Sequence, residues 1–305
     1  MNADTLWLQV PAAKSGEKST IFKNISIAIF IADHGVAIEE NLVLPLTSTS
    51  KIISNIINDN SSVRNLVNNH DAKIEIINLG TKNKLKYSEK INNLSIGLGT
   101  VNFCHEPAMS HEQLSRAINA GRQLAQRHKL SDTQLLIGKD ITTGSTISAT
   151  AIACTLLSIS DEQIISSYKE LNKNEIRCKI KLIRQALTFH QKHLKSTLEM
   201  LRRLGSFEIA AMTGCYLSCA HMGLPVLIDS FSSFVAALIA EQLCPGAKHW
   251  FLFSDKFEDQ RHTSLSSQDL LNLKTDTTVS ITNLSTTNFP QFSNDSSLKK
   301  TYAAR

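Results

Sequence analysis

The chain has 305 residues, of which 42% are apolar and 19% charged, with 32 Lys and Arg against 27 Asp and Glu. That composition suits one or two globular domains and excludes disordered and fibrous classes. The net charge of +5 is spread along the chain rather than gathered into a basic stripe, so no nucleic-acid partner is expected.

Residues 1–20 read as an N-terminal extension. The string MNADTLWLQVPAAKSGEKST lacks the charged and then apolar order of a signal peptide. No apolar run approaches the roughly 20 residues needed to span a bilayer. A cytoplasmic protein without membrane association is therefore expected. Six cysteines occur with no CxxC pair and no Cys/His metal spacing. They are expected as structural thiols of a reducing compartment, and neither a metal nor a cofactor is expected.

From residue 21 to 262 short apolar runs alternate with helical periods. The runs are 25–31 (ISIAIFI), 73–79 (KIEIINL), 94–98 (LSIGL), 134–137 (QLLI), 225–228 (PVLI) and 250–253 (WFLF). Their apolar character is continuous rather than alternating, which predicts strands buried on both faces of a parallel sheet. Helical periods fall at 47–60, 110–128, 145–157, 176–204 and 231–243. Strands alternating with helices predict an α/β fold with right-handed crossovers. The segment 158–204 has no strand candidate and reads as helical, with a basic solvated face. Residues 263–305 are dense in Ser, Thr, Asn and Asp and read as a polar C-terminal tail.

In open parallel sheets ligands bind beyond the carboxyl ends of the strands. The polar residues that fall there are Asp33, His34 and Gly35; Thr100 and Asn102 in the loop 99–103; the stretch 138–146; and Asp229. Thr143, Gly144, Ser145 and Thr146 open a helix, where hydroxyls and N–H groups attract an anion. Helix capping by Ser145 or Thr146 is the alternative. The stretch does not match the phosphate loop GxxxxGKS or GxxxxGKT. His34 is a candidate general base or a residue that fixes its loop. Glu208 is a candidate base with a raised pKa, or a paired core acid. No Ser/His/Asp triad and no HExxH appears.

Three strings, IFIADHGVA at 29–37, GTVNFCHEPAMS at 99–110 and GSFEIAAMTGCYLSCAHMGLPVLIDSF at 205–231, resemble the nicotinate-nucleotide–dimethylbenzimidazole phosphoribosyltransferase family. Their order and spacing match it over about residues 25–262. The resemblance implies a doubly wound, mostly parallel sheet with helices on both faces and a reduced helical small domain. It also implies a homodimer and two small-molecule partners, a nicotinate-mononucleotide-like nucleotide and an aromatic base. In the family reaction a carboxylate deprotonates the benzimidazole, whose nitrogen attacks C1 of the ribose and displaces nicotinate with inversion. Asp33, His34, Asn102, Glu208 and Asp229 stand at family positions. Gly35, Thr100, Thr213 and Gly214 lie in the same strings and join the expected substrate-binding set.

The chain departs from the family at its loops. The family's GEMGIGNTT aligns with GKDITTGST at 138–146, so Lys139 stands where the second Glu belongs. The family's catalytic Glu falls near Val279, and the nearest carboxylate is Asp276. Pro45-Leu46 replaces Pro-Gln, and FEDQRH at 257–262 keeps only His262 of SAEPGH. Two readings follow: a divergent phosphoribosyltransferase whose base is Glu208 or Asp276, or a non-catalytic relative that binds a nucleotide, a cobamide precursor or a partner protein.

Overall fold

The computed structural model describes residues 22–39, 47–57, 72–83, 85, 88–142, 144–166, 173–254 and 278–279. Among these, seven strands form one sheet: β1 (Ile25–Ala32), β2 (Lys73–Gly80), β3 (Ile91–Asn93), β4 (Leu135–Asp140), β5 (Val226–Ile228), β6 (Phe251–Ser254) and β7 (Thr278–Val279). Their order is β3-β2-β1-β4-β5-β6-β7 and every pairing is parallel. The strand order reverses between β1 and β4, the switch point at which a crevice opens in doubly wound folds.

The helices are α1 (Val36–Glu39), α2 (Thr47–Ile57), α3 (His111–Leu130), α4 (Ser145–Leu157), α5 (Asp161–Ser166), α6 (Lys173–His190), α7 (Thr197–Leu204), α8 (Phe207–Met222) and α9 (Phe231–Leu243). None is long and apolar enough to cross a membrane.

Alternation along β1 divides the core. Ala28, Phe30 and Ala32 join the cluster that contains α3, α4, α8 and α9. Ile27, Ile29 and Ile31 join the opposite cluster, which holds Ile53 and Ile56 of α2. Every β1 residue is buried, as its unbroken apolar run requires. The sheet also gains β7, from the segment whose composition reads as polar tail.

Two elements differ from their sequence pattern. The run 94–98 is loop, and the strand beside β2 is the preceding Ile91–Asn93. The N–H groups of Leu94 and Ser95 both donate to Asn78 O, and Ser95 takes a positive φ of 33°, so the chain turns out of the ladder there. The helical stretch 176–204 is broken after His190 by a 3₁₀ turn, Gln191–His193. Ser196 then caps α7 by accepting from Glu199 N.

Glycine sets the approach of α3 to α8. A Cβ on Gly121 would lie 1.7 Å from Ala211 O, and one on Gly214 would lie 2.1 Å from Ile118 O. No rotamer change relieves a clash with backbone, so the helices must part. Gly121→Ala and Gly214→Ala are each expected to cost about 1–3 kcal/mol or more. Urea unfolding checks this: the midpoint should fall at unchanged slope, whereas unchanged midpoints would show that the two helices separate freely.

Candidate functional site

β1 delivers Asp33 and His34 to the switch point, and the loop after β3 fixes them. Asp33 N donates to Gly80 O at 2.9 Å, Gly35 N to Thr100 O at 2.9 Å, and Thr100 N to Asp33 O at 2.9 Å. His34 and Thr100 thus form one further parallel bridge beyond the strands. Gly35 permits it, because a Cβ there would stand 2.4 Å from Asn102 N. Gly99 adopts φ 100° against Asp33 O, which a side chain would oppose.

Asn102 shapes its own loop: its side-chain oxygen accepts from Cys104 N at 3.0 Å, and its carbonyl from His105 N at 3.1 Å. Five of the sequence-predicted residues, Asp33, His34, Gly35, Thr100 and Asn102, are therefore in one stitched assembly.

Glu208 enters from α8, whose N-terminus Ser206 caps by accepting from Ile209 N. It has no solvent exposure. Its Oε1 accepts from Ala32 N at 3.2 Å, from His34 Nε2 at 3.0 Å and from the Thr142 hydroxyl. Burial would drive the carboxyl up, but the His34 charge and the hydrogen bonds from His34 and Thr142 outweigh it, and its pKa lies below the usual value. Glu208 is thus the paired core acid, not a base of raised pKa. His34 is 1% exposed. Burial pulls its pKa down, but Glu208 overcomes that, with Asp140 and Asp33 adding, and the imidazole stands above its usual 6.5. His34 Nδ1 and Glu208 Oε2 are both buried without a hydrogen-bond partner among the described residues.

Two more carboxylates complete the cluster. Burial pushes Asp33 above its usual value, although Lys82 N donates to its Oδ2 at 2.7 Å and His34 opposes the shift. Burial likewise pushes up Asp140, at the end of β4, with Glu208 adding to the rise and the Ser232 hydroxyl opposing it. The sequence does not single out Asp140 or Thr142; the polar stretch 138–146 contains both but cannot rank them.

The opening of α4 lies against this cluster. Gly144 takes φ 93°, and a Cβ on it would meet His34 Cβ at 3.1 Å and Ala37 Cβ at 3.2 Å. The Ser145 hydroxyl donates to Thr142 O at 3.0 Å, and Thr146 is half-buried. The hydroxyls of Thr142 and Ser145 are therefore engaged inside the protein. Thr143 and Asp276 lie outside the described residues.

Asp229 follows β5 and pairs with Lys139 Nζ, leaving its Oδ1 buried and without a partner among the described residues. The Lys139 ammonium is neutralised by that carboxylate. Thr213 and Gly214 serve α8 itself: Thr213 Oγ1 donates to Ile209 O at 2.8 Å, and Gly214 admits α3. Val279 ends β7, beside Ser254. No set of three metal-ligating side chains occurs among the described residues.

The His34–Glu208 pair makes stability depend on pH in two directions. A raised His34 pKa contributes fully below 6.5 and is lost as pH rises through the folded value; a lowered Glu208 pKa contributes fully above 4.5 and is lost as pH falls through its folded value. The Tm difference between the parent and Glu208→Gln is expected to peak between those two values and to narrow on either side. The pair holds a buried charge, so the difference at its peak should correspond to about 3–5 kcal/mol. A difference that does not vary from pH 4 to 9 would mean that the pair is not ionised in the fold.

Comparison with known proteins shows the family and the fold. A family model described as Phosphoribosyltransferase matches residues 5–275. The nicotinate-nucleotide–dimethylbenzimidazole phosphoribosyltransferase of Pseudomonas syringae pv. syringae is 36% identical over 266 residues, covering 86% of this chain and 76% of the relative. The enzyme of the same name from Xanthomonas oryzae pv. oryzae is 34% identical over 262 residues, covering 86% and 75%. The crystal structure of the Thermus thermophilus enzyme superposes with a TM-score of 0.71 at 24% identity, over 80% of this chain and 72% of that one, which shows a shared fold. With a family match over most of its length, this chain belongs to the nicotinate-nucleotide–dimethylbenzimidazole phosphoribosyltransferase family.

Proposed function

We propose that this chain transfers the phosphoribosyl group of nicotinate mononucleotide to 5,6-dimethylbenzimidazole, forming α-ribazole phosphate. The observation that carries the reading is the polar cluster of Asp33, His34, Asp140 and Glu208 at the switch point, in a chain that matches the family over residues 5–275. A doubly wound sheet binds its ligand at that point. A buried imidazolium with a free N–H there offers an anionic nucleotide a charge-assisted hydrogen bond.

In this reading His34 meets the nucleotide, with Gly35, Thr100 and Asn102 shaping the wall beside it. The start of α4, Gly144 to Thr146, presents N–H groups and the helix dipole to phosphate, and Thr143 precedes it in the chain. Asp229 keeps a carboxylate oxygen for a ligand hydroxyl at the end of β5. Glu208 acts through His34, as the group that keeps the imidazole charged and oriented; Asp276 precedes β7 in the chain. Thr213 and Gly214 contribute by seating α8. The chain works as a homodimer in the cytoplasm, with a core domain over 21–262 that follows an N-terminal extension and takes in β7 from the C-terminal segment.

Mixing the purified chain with nicotinate mononucleotide and dimethylbenzimidazole, and separating the products by chromatography, tests the reading. The expected result is α-ribazole phosphate and free nicotinate in equal amounts. Nucleotide binding without product at high enzyme concentration would instead support a ligand-holding relative. His34→Ala is expected to weaken nucleotide binding about tenfold or more, the scale of one charge-assisted hydrogen bond. Calorimetric titration measures it, and an unchanged Kd would remove His34 from the site.

A further inference from the structure

We propose that Asp140 is the general base of this site, the carboxylate that takes the N–H proton of the incoming azole. The inference rests on the transferase reading above and names a residue for its proton transfer. A base must lie at the strand-end crevice, be reachable, and be free to take up a proton rather than be consumed by a permanent partner. Among the described residues three carboxylates lie at the switch point, and these requirements separate them.

Glu208 has no exposed surface, and its Oε1 is held by donors from three segments, Ala32, His34 and Thr142. Asp33 is 4% exposed and its side chain anchors the loop after β2 through Lys82 N. Asp140 is half-buried, more exposed than either of the other two. It ends β4, in register with Phe30 of β1, on the two strands that flank the switch point. The Ser232 hydroxyl at the start of α9 favours the ionised form of Asp140, whereas the Ser145 proton is given to Thr142 O. Hydroxyls stabilise a carboxylate without neutralising it.

That a ligand completes this cluster is indicated by His34 Nδ1 and Glu208 Oε2, both buried and without a partner among the described residues. The charged groups that act on Asp140 are Glu208 from α8 and His34 from the loop after β1. Lys139, its neighbour in the chain, is paired with Asp229. Burial and the Glu208 charge hold Asp140 above the usual carboxylate value, closer to the working pH of a base.

The step balances without a further reactant. The azole's unprotonated nitrogen forms the new bond to C1 of the ribose. The bond from C1 to the pyridinium nitrogen breaks, and its electron pair returns to the nitrogen of the departing nicotinate. The proton on the azole's other nitrogen passes to the Asp140 carboxylate, which later releases it to water.

The test compares the full chain with Asp140→Asn and Ser232→Ala, by product chromatography across pH and by calorimetric binding of nicotinate mononucleotide. Asp140→Asn should lower kcat about 10²–10⁴-fold with nucleotide Kd unchanged, and should abolish the acidic limb of the kcat profile. Ser232→Ala should keep that limb and move it to higher pH, because the hydroxyl favours the ionised acid; it decides the matter should Asp140→Asn fail to fold. An Asp140→Asn variant as active as the parent, or a limb unmoved in Ser232→Ala, would overturn the assignment while the transferase reading stands. A parent chain that makes no product would overturn both.

Discussion

A carboxylate with no access to water has to be neutralised from within the protein, and Glu208 imposes that requirement on the whole switch point. An unpaired buried charge costs many kcal/mol, so the fold must bring donors to it from separate segments. Ala32 N comes from the last residue of β1, His34 from the loop beyond it, and the Thr142 hydroxyl from the turn after β4. The N-terminus of α8 is thereby fastened to the two central strands. The bridge between His34 and Thr100 and the glycine contacts at Gly35 and Gly99 then keep the imidazole where the pair needs it. A defect in any of these reaches the others through one buried charge.

The same pair governs its neighbours by charge. Glu208 raises both Asp33 and Asp140, and His34 lowers both. Burial dominates both acids. The result is a graded set of carboxyls: Glu208 kept below the usual value, Asp33 and Asp140 kept above it. Divergent titration of adjacent acids is how one pocket separates a fixed countercharge from a group that exchanges protons.

The strands were legible because burial on both faces leaves short, β-branched apolar runs, as in ISIAIFI, whereas the equally apolar FVAALIA at 234–240 is Ala-rich and lies in α9. The run 94–98 passed the same test and failed for a backbone reason: the turn at Ser95 is set by Asn78 O, a partner on another strand. The site residues just beyond β1 were legible from their position at a strand end. Gly214 sits in a recognisable string, yet its use depends on Ile118 of a helix almost a hundred residues earlier. Glu208 was visible as one acid in apolar surroundings, but its neutral or ionised state depended on a histidine 174 residues away.

Lys139 and Asp140 show how strand geometry sorts charge that a linear sequence presents as adjacent. A lysine next to an aspartate in the chain looks like a self-neutralising pair. On β4 successive side chains leave by opposite faces. Lys139 follows Leu135 and Ile137 towards the α2 side and meets Asp229, whereas Asp140 follows Leu136 and Gly138 towards the helices α4, α8 and α9. The ammonium is therefore consumed at the end of β5, and the carboxylate faces Glu208 with His34 as the cation that acts on it. A substitution at residue 139 changes the charge on the α2 side, and one at 140 changes the proton balance of the buried cluster; the two positions are neighbours in sequence and belong to different electrostatic environments.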